Sequence, residues 1–222
     1  MVRLAMLFAA IFWAVRAFGT EQGAFVGRVV VEWIDDDPFI QKMRVAERFG
    51  YRDSKGKVWL ADGEHILDGR SFPPLTQELT GPVFAGELRR ASLVYDYQCK
   101  AMIEPWRAVH RMFYEAVRTQ GMPAIDAKLV YTSVYALGPR WETKDSSCFR
   151  TCHSNLPSLS WKPQVEPDLL TPVMAWIRGA DPSLEQIERR LNALILKPGP
   201  HLFTQGYSQL PDPSDPPPPA LR

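Results

Sequence analysis

His110 is the side chain in this sequence best suited by type and position to move a proton. It shares a helical stripe with Trp106, Phe113 and Val117, so its imidazole points inward. An imidazole changes charge near neutral pH, which suits a general base; a histidine satisfied within a core has the same spacing. A second group is Asp68-Gly69-Arg70-Ser71-Phe72-Pro73. Asp and Ser bond nearby backbone in turns, and Gly with Pro fixes a bend, so these residues can simply shape the chain. The chemical alternative makes Asp68 a ligand or orienter and Ser71 a hydroxyl at a pocket mouth. No G-x-S-x-G elbow surrounds Ser71, which argues against a nucleophile.

The third group is Cys148-Phe149-Arg150-Thr151-Cys152-His153. Haem attachment usually leaves two residues between the cysteines, and three stand here, a spacing some cytochromes share. Covalent haem would also need an axial ligand, for which His201 is a candidate. Zinc on Cys148, Cys152 and His153 would need a fourth ligand or a water. A disulfide is the simplest expectation in an oxidising compartment, joining Cys148 to Cys152 or either of them to Cys99.

The elements that must position these groups follow from patterning. Phe25 to Trp33 is rich in β-branched and aromatic residues and closes at Asp35-Asp36-Asp37-Pro38, which predicts a strand and a turn. Met43, Val45 and Phe49 alternate with charged residues as a second, half-exposed strand. Asp53-Ser54-Lys55-Gly56 is turn chemistry, with Val58-Trp59-Leu60 as the returning hairpin partner and His65-Ile66-Leu67 after the next turn. Beyond Pro73-Pro74 the period changes. Leu88, Ala91, Val94, Tyr95, Cys99 and Met102 predict one helix, and Trp106 to Val117 a second, stopped at Gly121. A third runs from Pro123 to about Val134, ending at Gly138-Pro139. Arg140 to Glu166 reads as an irregular loop. Two further helices are predicted at Asp168–Arg178 and at Pro182–Leu196, the latter with Asp181 as N-cap. The fold class is α+β: a small antiparallel sheet of hairpins followed by a bundle of three to five helices.

The stretch from about Phe49 to Trp141 resembles a small bacterial family, widespread in phages and prophages, that is defined as a domain of unknown function. Its pattern is D-G-x-S-x-P, then H-D-x-x-Y on a helix, then A-D-x-x-F on the next. The first element is intact at Asp68 to Pro73. The second reads Tyr95-Asp96-Tyr97-Gln98-Cys99, with Tyr in place of His and Cys in place of Tyr. The third reads Val109-His110-Arg111-Met112-Phe113, with His in place of Asp. A His-Asp pair facing an Asp on the next helix is also similar to secreted phospholipases A2, where His activates water, the adjacent Asp holds calcium and the distant Asp orients the His. If the helices pack as the resemblance implies, His110 approaches Tyr95 and Asp96 from the opposite side. An Asp–His pair would then survive with its members exchanged between helices. Asp96 would orient the imidazole and Tyr95 would donate a hydrogen bond, since a phenol titrating near pH 10 is itself a poor base.

Composition bounds the rest. The chain has 222 residues, 45% of them hydrophobic, enough for one well-cored domain. Leu4 to Val15, after Met1-Val2-Arg3, is an apolar run of twelve, too short to span a bilayer and followed by small residues at Ala17 and Gly19. A signal peptide cleaved after Gly19 is the expectation, an uncleaved anchor the alternative. Loss of Arg3 and Arg16 leaves 24 basic residues of 26 against 25 acidic, a charge of −1 with no like-charge run, which disfavours nucleic acid as a partner. Aromatic residues are 11% of the chain, but most fall at core-facing positions. The expected organisation is a signal peptide at 1–19, an α+β core at 20–140, a loop with C-terminal helices packed on the core at 141–200, and a Pro-rich extended tail at 201–222.

Together these expectations describe a periplasmic or secreted hydrolase-like protein acting on a cell-envelope component such as a lipid ester, or on a small molecule. Asp96 and His110 would be the acid–base pair, with Tyr95, Asp68 and Ser71 around them and no integral membrane span after signal removal. No cofactor is the simplest expectation. Calcium at Asp96 fits poorly, because one carboxylate seldom holds that ion, and haem at the C-x-x-x-C-H segment defines a minor alternative. The competing expectation is a non-catalytic exported binding or envelope-interaction protein that keeps the fold and has lost the site.

Overall fold

Alternation of inward and outward side chains builds the first half of the molecule, seen in a computed structural model that describes residues 23–34, 42–141, 159–160 and 165–195. Strands β1 (Ala24–Val26), β4 (Phe49–Arg52) and β5 (Val58–Ala61) form one antiparallel sheet in the order β1-β4-β5. Strands β2 (Val31–Ile34), β3 (Lys42–Val45) and β6 (Ile66–Leu67) form a second, in the order β2-β3-β6. The span from Phe25 to Trp33, expected as one strand, therefore divides after Val26 and serves both sheets. In the β4–β5 hairpin Tyr51 faces Trp59 and Phe49 faces Ala61, all four buried, while Val58 and Leu60 point to solvent. Met43 and Val45 are the inward residues of β3, with Arg44 outward between them. The Asp53 carboxylate closes the hairpin by accepting from the amides of Lys55 and Lys57 and from the indole of Trp59.

Helix α1 (Pro74–Thr80) was not foreseen, because Pro73-Pro74 reads as a break. Pro74 sits in the first helical turn, where its missing amide would have had no partner anyway. A short 3-10 turn at Gly86–Leu88 leads into α2 (Arg89–Ala101), followed by α3 (Trp106–Thr119) and α4 (Ala124–Leu137). Every residue of α2 from Ala91 to Cys99 is buried, because the helix is packed by β4, β5 and β6 on one side and by α3 on the other. Gly121, at φ +98°, ends α3 as expected. The Met122 amide bonds back to Val117 and the Gly121 amide to Arg118, so the last carbonyls are satisfied.

Past α4, Arg140–Trp141 (β7) pairs with Leu159–Ser160 (β8) in a stretch expected to be irregular throughout. The Trp141 indole donates to the Glu104 carbonyl and its ring is buried, which ties this strand to the α2–α3 connection. A 3-10 turn at Pro167–Leu169 opens α5 (Leu170–Ala180), and α6 (Leu184–Ile195) follows; both pack on α4. Asp181 is not the N-cap of α6. It lies at φ 45° as the C-cap of α5, and the cap of α6 is a reciprocal box in which Gln186 N donates to Ser183 Oγ and Ser183 N donates to Gln186 Oε1. The architecture is α+β, with two small three-stranded antiparallel sheets and six α-helices among the described residues. No described helix is long and apolar enough to cross a membrane.

Candidate functional site

Asp96 and Tyr95 are consecutive on α2, so their side chains leave the helix about 100° apart. That angle sends them into different surroundings. The Asp96 carboxylate, fully buried, meets the loop between β6 and α1. Its Oδ2 accepts from the amides of Asp68 at 3.0 Å and Gly69 at 3.1 Å, and its Oδ1 accepts from the amide of Ser71 at 3.3 Å. Lys100, one turn along α2, places Nζ 3.5 Å from Asp96 Oδ2 and 2.5 Å from Asp68 Oδ1, and also donates to the Ile66 carbonyl at 2.6 Å. Asp68 in turn accepts from the Arg70 amide. The D-G-x-S loop is thus a concave set of backbone amides of the kind that binds anions, and the anion it holds is a side chain of the same molecule. Gly69 makes this curvature available at φ +72°, and a Cβ there would stand 3.2 Å from the Phe84 ring.

His110 occupies the other side. It is fully buried, with the rings of Trp106, Tyr95 and Tyr135 at centroid distances of 5.2, 5.6 and 6.5 Å. Neither ring nitrogen makes a hydrogen bond of good geometry, and the backbone group that acts on the ring is the Pro139 carbonyl. Burial holds its pKa down at about 3, and the positive charges of Arg140 and, more weakly, Arg107 push the same way, partly offset by the Pro139 carbonyl. The imidazole is therefore neutral at any physiological pH. The hydroxyls of Tyr95 and Ser71 are likewise buried, with the Cys99 thiol, a weak partner out of good hydrogen-bond geometry, beside both. Burial, and next the neighbouring Cys99, push the Tyr95 phenol far above its ordinary range. Burial likewise raises the Cys99 thiol, which leaves it protonated and unreactive.

The structure brings Asp96, Asp68 and the Ser71 amide together, and separately sets Tyr95 against Cys99 and against His110. It does not join Asp96 to His110 by a hydrogen bond. Ser71 takes part through its main chain, so its side chain is not the group that matters. Cys99 is a free buried thiol, whereas Cys148, Cys152, His153 and His201 lie outside the described residues, together with the disulfide, zinc and haem readings placed on them. The signal-peptide run and the Pro-rich tail lie outside them too. Among the described residues no three His, Cys, Asp or Glu side chains converge on a point that could hold a metal ion.

Two contributors were missed. Lys100 closes the Asp96 loop, and its i,i+4 spacing from Asp96 was the signal that could have found it. Arg111, the neighbour of His110, faces the other way and clamps Glu188 of α6 with two bonds of 2.7 and 2.9 Å, while Tyr131 donates to the same carboxylate. No local pattern links residues so far apart in sequence.

With the geometry in view, the likeness to known proteins can be placed. Residues 43–134 match the family model described as a protein of unknown function, DUF1353. That span contains the Asp96 loop, Tyr95 and His110, but not Tyr135, Pro139 and Arg140 beside the imidazole, and it stops short of α5 and α6. Among individual proteins, the uncharacterized protein y4iH of Sinorhizobium fredii is 34% identical over 148 residues, which cover 62% of this chain and 61% of that one. The uncharacterized protein y4jT of the same organism is 32% identical over 124 residues, covering 55% of this chain and 37% of that protein. The chain thus spans less than two thirds of the length of either relative. No solved structure matches it.

Proposed function

We propose that this protein is a non-catalytic binding module that keeps the fold of its relatives and has converted the helix–helix interface around His110 into core. One observation carries the reading: the four positions at which the chain departs from the family pattern, Tyr95, Cys99, Val109 and His110, are all buried, with Tyr95 against both Cys99 and His110, while Asp68, Gly69 and Ser71, which keep the pattern, hold Asp96. A general base must reach its substrate's proton directly or through one water. His110 is buried beneath three rings and held neutral, and the carboxylate that would orient it is engaged by three amides and Lys100. Hydrolysis of an envelope lipid ester, with its prophage ancestry and phospholipase-like chemistry, is the outcome that would displace this proposal.

Wild type and His110→Leu should be assayed side by side against ester, amide and phosphoester substrates. Neither should show turnover above the uncatalysed rate, whereas activity in wild type that His110→Leu abolishes would overturn the binding reading. On the positive side, native mass spectrometry after incubation with an envelope extract should resolve a protein carrying a bound small molecule. Export is a separate part of the proposal. It rests on the apolar run Leu4–Val15 behind Arg3 and is tested by the N-terminal residue of the protein recovered from fractionated cells.

A further inference from the structure

Val29-Val30-Val31-Glu32-Trp33-Ile34 is a run of β-branched and aromatic residues with a single charge. Its strand, β2, pairs with β3 on one side and has no strand on the other, since the sheet order is β2-β3-β6. The ladder decides which groups face outward. Ala46 N donates to Val30 O at 2.8 Å, so these two residues are a bonded pair, and alternation makes Glu32–Arg44 and Ile34–Lys42 bonded pairs as well. The amides and carbonyls of Val31 and Trp33 therefore point away from β3, and among the described residues nothing bonds them. Elsewhere the outer edges are closed by side chains of α2: Gln98 donates to the Leu60 carbonyl of β5, and Lys100 to the Ile66 carbonyl of β6. The β2 edge has no such cap, and residues 29–34 hold no Lys or Pro to guard it. Trp33 shares its side of the sheet with Met43 and Leu67, both buried, yet is itself 58% exposed. The core-facing surface thus runs out to an uncovered rim.

We infer that two copies of this chain pair through β2, antiparallel about a two-fold axis at Glu32, joining their β2-β3-β6 sheets edge to edge. This goes beyond the binding reading above and does not depend on it. Outward-facing residues must bond to outward-facing residues, and an axis at Glu32 sets Val31 of each copy opposite Trp33 of the other. The side chains then agree on both faces. On the core side Trp33 lies against the partner's Val31, and on the opposite side Ile34 lies against the partner's Val30. At the axis the Glu32 carboxylates meet, each with its own cross-strand neighbour Arg44 behind it, so the row holds as many bases as acids. Moving the axis to Val31 sets Glu32 against Val30, and moving it to Trp33 sets Glu32 against Ile34, so the apolar match selects the central register. Such self-matching is what a two-fold contact demands of one strand, and an unrelated strand would not require it.

The test follows the full chain through the micromolar range by analytical ultracentrifugation and by amide hydrogen exchange. A monomer–dimer equilibrium should appear, and the amides of Val31 and Trp33 should slow with rising concentration, while those of Glu32 and Ile34, bonded to β3, stay protected throughout. Val31→Pro removes only an outward amide, leaves the β2–β3 ladder intact and should abolish the dimer. Trp33→Lys should do the same by placing an ammonium group at the rim. Glu32→Gln should tighten the dimer by about two- to fivefold, because it relieves the like-charge pair at the axis. A monomer throughout this range would overturn the inference, as would a dimer that leaves the Val31 and Trp33 amides unchanged or that survives Val31→Pro. Protection that appears in a cell extract but not with concentration would assign the edge to another protein's strand, and the self-pairing would be wrong. The wild-type exchange pattern decides the matter even if a variant fails to fold.

Discussion

Asp96 and His110 are both fully buried polar groups on neighbouring helices, yet one is completely partnered and the other has only the Pro139 carbonyl, out of good hydrogen-bond geometry. The carboxylate has three amides and an ammonium group around it. The imidazole has aromatic faces and no hydrogen bond of good geometry. A buried charge survives only where its surroundings replace water, so the Asp96 loop must be in place for the chain to fold. A neutral imidazole is tolerated as a somewhat polar ring at a modest cost. The lesson is that an acid and a base carried on adjacent helices need not be a pair. One holds a loop, and the other fills space.

The most damaging way to break this comparison is to remove the partnered group. Asp96→Asn turns one acceptor into a donor facing amides and removes one of the two carboxylates around Lys100, which keeps Asp68. It should cost about 3–5 kcal/mol, read as a lower urea midpoint, and should deprotect the amides of Asp68, Gly69 and Ser71 in hydrogen exchange. A loss under about 1 kcal/mol with those amides still protected would mean that the loop does not depend on the carboxylate.

The unpartnered group has a different signature, in pH. Its pKa is about 3 in the folded protein against 6.5 in the unfolded chain, where it is free. Above pH 6.5 the imidazole is neutral in both states and pH has no leverage through it. Between 6.5 and about 3 only the unfolded chain takes up the proton, so stability falls as pH falls, by at most about 1.4 kcal/mol per pH unit from this group. Carboxylates contribute their own acid loss, so the measurement is the difference between wild type and His110→Leu, a substitution of similar volume. The variant should match or exceed wild type at pH 7 and widen its advantage steadily down to pH 4, by a few kcal/mol in all. Parallel stability curves for the two proteins would show that the protonated ring finds a stronger partner than the Pro139 carbonyl.

Glu188 sharpens the comparison as an intermediate case, a half-buried carboxylate whose partners are side chains, Arg111 and Tyr131, rather than backbone. Glu188→Gln should cost about 1–2 kcal/mol and loosen α6 locally, seen as faster amide exchange in Leu184–Ile195 with α2 unchanged. If α2 loosens equally, the two halves of the helical layer are one cooperative unit and the contrast between a backbone-held and a side-chain-held carboxylate loses its force.

Much of this architecture was legible in the residues. The β4–β5 hairpin followed from Asp53-Ser54-Lys55-Gly56 between alternating runs, and α2, α3 and α4 from apolar spacing and the stops at Gly121 and Gly138, since these signals act within a few residues of the element they specify. What sequence spacing did not decide was which way neighbouring residues on α2 face in three dimensions. Periodicity placed Tyr95 on the buried stripe but is silent on Asp96, because a helix buried on all sides has no polar face to read. The same gap hid Lys100 and the Arg111–Glu188 clamp, whose partners are set by tertiary packing. Asp181 misled for a local reason: Ser183 and Gln186 form the stronger cap two residues on, and Asp181 instead takes the left-handed turn that ends α5.

The smallest expected effect tests which part of the D-G-x-S loop matters. Ser71 looks like the reactive member of the motif, yet its Oγ is buried with only the weak Cys99 thiol beside it and its amide alone contacts Asp96. Removing a buried hydroxyl so weakly partnered relieves a desolvation cost and leaves a void of one oxygen, terms of opposite sign. Ser71→Ala should therefore change stability by less than about 0.5 kcal/mol in either direction. Gly69→Ala should do far more, because it strains φ +72° and drives a methyl against Phe84. A Ser71→Ala loss as large as that of Gly69→Ala would mean the hydroxyl has a partner in solution, and the division between a backbone-built anion nest and an idle side chain would have to be redrawn.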